Sequence, residues 1–128
     1  MLPAPDAPLC GIFNTSRVAT AAAVAAAADL VVLVLGDSST IMATGGVHHE
    51  TGSCGEHFDR DNLDVLGAQL PLLKAVLAAN KRVAVVLIHG RTVTFGAGMT
   101  DGYNALFDQI PGMLAAWRPG EEGGTAVW

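Results

Sequence analysis

The sequence predicts an α/β domain: a three-layer sandwich with a mostly parallel sheet flanked by helices, incomplete at the termini. Three observations predict it. Leu30-Val-Val-Leu-Val-Leu35 and Val83-Ala-Val-Val-Leu-Ile88 are continuous apolar runs, each closing on a polar turn. Such runs suit strands covered on both faces, as parallel strands are. A helical apolar pattern separates the two, and a further apolar run, Gly112–Trp117, follows them. Helices alternating with strands give a parallel sheet with right-handed crossovers.

The elements follow in order. Residues 1–9 contain three prolines and read as an extended lead-in, with the domain occupying 10–128. Asn14, Thr15 and Ser16 can cap a helix that runs to about Ala28, because alanine has the highest helix propensity. The run Leu30–Leu35 is the first strand. Asp37 to about Asp64 is polar and contains His48, His49 and His57; it reads as one long loop, a type of segment that is usually functional or disordered. A helix spans about Gly67 to Asn80, with Leu70, Leu73, Val76 and Leu77 on its apolar side. Pro71 fits only its first turn.

Val83–Ile88 is the second strand, ended by His89-Gly90-Arg91. Part of Tyr103–Ile110 is helical on this reading, and Gly112–Trp117 is the third strand. Arg118-Pro119-Gly120 is a turn, and Glu121 and Glu122 suit the first turn of a last helix. That helix has room for about two turns before Trp128, shorter than the mean of about 11–12 residues, so the expectation is a chain truncated at its C-terminus.

Bulk properties narrow the functional classes. With 128 residues, 51% hydrophobic content and a mean hydropathy of +0.41, the chain can supply one core. The net charge of −5 comes without a basic cluster, which argues against nucleic acid. The alanine run Ala19–Ala28 ends at Asp29 and gives way to β-branched residues, which reads as helix then strand and not as a membrane span. The first ten residues do not have the pattern of a signal peptide, and the compartment stays open. Cys10 and Cys54 read as free thiols. No dinucleotide fingerprint or phosphate loop occurs, and no cofactor is expected. His48, His49, Cys54 and His57 are the right types for zinc, but their spacing matches no standard ligand arrangement, so no metal is expected either.

In such folds ligands bind beyond the carboxyl ends of the strands. Connectivity puts the 37–64 segment, the His89 turn and the Arg118 turn at that edge. Arg91 and Arg118 read there as loop anchors, and Trp117 as either core or a residue lining the ligand pocket.

Several blocks then resemble one family. Asp29–Gly36, then Gly55-Glu56-His57-Phe58-Asp59-Arg60, then Leu63-Asp64-Val65-Leu66-Gly67-Ala68-Gln69, Val83–Arg91 and Trp117–Gly124 are similar, in this order, to the C-terminal α/β domain of family 3 glycoside hydrolases. The match has departures. Val65-Leu66-Gly67 lacks the family's usual proline, His89 stands where asparagine is common, and Thr92 replaces a usual proline.

The resemblance implies a retaining β-glycosidase of β-glucosidase or β-xylosidase type, acting on a β-linked oligosaccharide or other glycoside. It implies an aspartate nucleophile on a (β/α)8 barrel that no part of this chain resembles. It also implies that Glu56 is the general acid/base, with Glu50 as the alternative, and that His48, His49, Asp59 and Arg60 stand near the sugar. Against each of these stands the plainer reading of a solvated loop residue; for Asp59 and Arg60 it is a structural ion pair. A stand-alone, non-catalytic α/β module that binds sugar or protein is the alternative function.

Overall fold

The computed structural model describes residues 14–37, 41–44, 47–50, 63–96 and 106–127. Three parallel strands form the main sheet: β1 (Val31–Gly36), β4 (Val83–Ile88) and β5 (Gly112–Trp117), in the order β1-β4-β5. Val31 pairs with Val83, and Ala84 with Gly112, so the two ladders run in step. Helices α1 (Val18–Ala27) and α2 (Gln69–Ala79) pack against each other. A short helix α3 (Gly123–Val127) follows β5. The architecture is the expected α/β sandwich, and the predicted bounds of β4 and β5 match those observed.

The core lies between α2 and one face of the sheet. Strand side chains alternate, so Leu35, Val83, Val85 and Leu87 share that face and meet Leu73, Val76 and Leu77 of α2. Phe95 and Val65 extend this cluster beyond the strands, and Ala25 brings α1 into it. The other face is partly bare, with Val32 59% and Val34 62% exposed.

Three expectations need correction, and a fourth is met by a single turn. The Asn14 side chain does not cap α1; its Oδ1 accepts the Ser16 N–H at 2.9 Å, in the turn ahead of the helix, and Arg17 stands at the N-cap without a side-chain bond. The 37–64 segment is not loop throughout, because β2 (Ile41–Thr44) and β3 (Val47–Glu50) pair antiparallel within it. Among the described residues of 103–110, the helical part is one 3-10 turn at Phe107–Gln109. Glu121 and Glu122 lie in the turn before α3 and not in its first turn.

Side chains close the helix ends that lack ordinary caps. The Asn80 amide donates to the carbonyls of Ala25 and Ala28, both at 2.8 Å, satisfying the end of α1 from the end of α2. The Lys81 Nζ donates to the Leu77 carbonyl at 2.9 Å, where a cation also suits the negative end of α2.

Candidate functional site at the carboxyl edge of the sheet

At the end of β1, Gly36 takes a φ of +149° and lies against β4; a Cβ there would stand 1.7 Å from the Ile88 carbonyl oxygen. Its backbone is held from the other side. The Gly36 N–H donates to Gln69 Oε1 and the Gln69 amide donates to the Gly36 carbonyl, each at 2.8 Å. The same amide donates to the Leu66 carbonyl at 3.0 Å, so one side chain at the start of α2 fixes the strand end and the turn before the helix.

Asp37 follows, and its side chain is only 1% exposed. A buried carboxylate needs paired charge and donors. Its Oδ1 accepts the Gly90 N–H at 3.1 Å and faces Arg118 Nη2 at 3.5 Å. Its Oδ2 lies 3.3 Å from Arg91 Nε, an ion contact whose geometry leaves both atoms without an aligned hydrogen bond. Arg91 and Arg118 thus anchor the strand ends as expected, but on an aspartate that the sequence reading had not singled out. A polar residue directly after an apolar parallel strand was the available signal.

His89 is buried beside this cluster. Its Nδ1 lies 2.6 Å from the Arg91 carbonyl oxygen, which can only accept, so Nδ1 carries a proton. Its Nε2 is buried and has no hydrogen-bond partner among the described residues. The ring stacks on Trp117 with centroids 4.5 Å apart and planes at 27°. Trp117 reaches it through an irregularity in the β4–β5 ladder: Leu87 pairs with Ala115 and Ile88 with Trp117, so Ala116 is extra. Such bulges re-aim side chains, and Trp117 takes a φ of +56°. It is 56% exposed, so it is not the core residue of the first expectation.

An open groove of about 580 Å3 runs beside Asp37, lined by Arg17, Val34, Gly36, Gln69 and Ile88 among others. Strand β3 carries the expected sugar-side residues His48 and His49 and the alternative acid Glu50. Their backbones pair with Ala43, Met42 and Ile41 respectively. Glu56, Asp59 and Arg60, as well as His57 and both cysteines, lie outside the described residues.

The model of the glycosyl hydrolase family 3 C-terminal domain matches residues 6–128. The chain belongs to this family. A β-xylosidase of Formosa agariphila is 36% identical over 92% of the chain, and an exo-α-(1→6)-L-arabinopyranosidase of Bifidobacterium longum is 32% identical over 78% of it. The chain spans 14% and 11% of those two proteins. The crystal structure of a family 3 β-glucosidase of Bifidobacterium adolescentis superposes with a TM-score of 0.60 and 32% identity, over 86% of this chain and 13% of that one. A Kluyveromyces marxianus β-glucosidase in complex with glucose gives 0.59 and 27%, over 87% and 11%.

Four of the five sequence blocks that resemble family 3 meet at this one edge; the second, Gly55–Arg60, lies outside the described residues. Gly36 of the first block is held by Gln69 of the third, and Arg91 of the fourth and Arg118 of the fifth converge on Asp37. In this family 3 domain these motifs therefore tie the strand ends together.

Proposed function

We propose that this domain is the acid/base-bearing part of a retaining β-glycosidase whose aspartate nucleophile sits on a separate barrel. The supporting observation is the family 3 match over residues 6–128, together with relatives named as glycosidases. Glu56 is the general acid/base in this reading. It protonates the departing glycosidic oxygen and later removes a proton from the attacking water. Asp59 and Arg60, close to it in sequence, hold it or contact the sugar, and His48 and His49 line the sugar side. The named relatives act on different glycosides, so the sugar is left to the assay.

Leaving-group chemistry tests the assignment, with the domain joined to its barrel. Glu56→Ala is expected to slow glycosides with poor leaving groups by about 10²–10⁴-fold, because they depend on protonation. Activated aryl glycosides keep most of their glycosylation rate, and azide restores turnover as a glycosyl azide of retained configuration. Azide rescue of Glu50→Ala and not of Glu56→Ala exchanges the two roles.

A further inference from the structure

The connection from β1 to α2 leaves the sheet at Asp37 and returns at Asp64, and both aspartates bind the short stretch that follows β4. Asp37 accepts the Gly90 N–H at 3.1 Å and faces Arg91 Nε at 3.3 Å. Asp64 Oδ1 accepts the Thr94 hydroxyl at 2.5 Å and the Gly96 N–H at 2.8 Å. The backbones of Asp64 and Thr94 also form a parallel bridge, with Val65 N–H donating to the Thr94 carbonyl at 3.0 Å and Thr94 N–H to that of Leu63 at 2.9 Å. Phe95, 2% exposed, sinks this stretch into the core, so both feet stand on a rigid base.

The sheet does not need these carboxylates for its own cohesion. β1 and β4 are already joined by a ladder from Val31↔Val83 to Gly36↔Ile88. Burying the Asp37 charge is unfavourable before pairing, and the paired arrangement defines one geometry more than it adds stability. Fixing both ends of a long connection lowers the entropy lost when it takes one conformation.

We propose that Asp37 and Asp64 are positioning residues: a two-footed clamp on the 90–96 stretch that fixes the two ends of the connection carrying β2 and β3. Their catalytic meaning rests on the reading that this connection carries the general acid.

Hydrogen exchange on the full chain tests the clamp. Asp37→Asn removes the charge facing both arginines, and Asp64→Ala removes the acceptor for Thr94 and Gly96. Each is expected to speed exchange of the amides in residues 41–50 by at least roughly tenfold, while those of 83–88 hold. Asp64→Asn, which keeps an acceptor oxygen, restores protection. Unchanged exchange in 41–50, or equal loosening of 83–88, overturns the clamp. A second arm uses the domain joined to its barrel: the loosening variants lower kcat for poor leaving groups with little change in KM and spare activated glycosides. Loosening in 41–50 without that split leaves the clamp standing and refutes the reading of this connection as the carrier of the acid.

Discussion

Gly36 shows how little freedom one residue can have. Its φ of +149° is a region side chains rarely adopt, and the Ile88 carbonyl occupies the place of a Cβ. The obstacle is backbone in the central strand, which cannot rotate away. Gly36→Ala is therefore expected to cost at least about 3 kcal/mol, read from the midpoint of a urea melt, through strain and displaced strand pairing. Trp117 is the contrasting case. A non-glycine residue at φ +56° costs about 1–3 kcal/mol, and the strain persists where surrounding contacts over-determine the conformation. Here the added residue in β5 and the stack on His89 supply them. Trp117→Gly is expected to relieve the backbone but lose the stack. The His89 imidazole resonances in an NMR spectrum should then shift, with a stability change within about 1 kcal/mol because the two effects oppose each other.

Among the elements, α1 and α2 are joined by polar side chains as much as by packing. α1 is almost all alanine and buries only Ala25, so it has little apolar area to offer. The Asn80 amide bridges to two of its terminal carbonyls. Asn80→Ala is expected to cost about 1–2 kcal/mol, as the loss of these two hydrogen bonds and of the exposed one its Oδ1 accepts from the Arg82 N–H, all at groups that water can partly reach. Faster amide exchange confined to the end of α1 would locate the effect. Gln69 does the corresponding work between α2 and β1. Gln69→Leu keeps the volume but leaves the Gly36 N–H and carbonyl without their partners, and about 2–4 kcal/mol is the expected loss. A loss under about 1 kcal/mol would mean that water replaces the amide at both groups.

For the whole molecule, the uneven cover of the sheet matters most. Val32 and Val34 on β1 and Met113, Leu114 and Trp117 on β5 are all more than a third exposed. Apolar surface of this kind on and beside a strand invites association. The chain by itself is expected to bind a hydrophobic dye and to elute from a sizing column at a mass that rises with concentration. A monomer that binds no dye would favour the stand-alone module. The purified chain is also expected to leave aryl β-glucosides and β-xylosides uncleaved. Retaining hydrolysis needs two carboxyls ~5–5.5 Å apart, and in the proposed reading one of them is on the barrel. Turnover that follows this chain through purification would overturn the two-part reading.

Apolar runs made the three parallel strands and α2 legible, because burial on two faces or on one helical stripe writes itself into consecutive residues. The motif blocks made the family legible for the same local reason. The hairpin β2–β3 was missed although Gly45-Gly46 separates two short runs, a turn signal outweighed by the polar composition around it. The contacts that make the edge could not be read in the same way. Asp37 and Arg118 meet across 81 positions, and Gln69 and Gly36 across 33. Hydrogen bonds between distant residues have no periodicity, and a buried aspartate looks in sequence like any turn aspartate. Local composition determined which segments become strands and helices. Only the register of the three strands decided that Asp37 faces two arginines, that Gly36 has no room for a side chain, and that both feet of the connection rest on one stretch of chain.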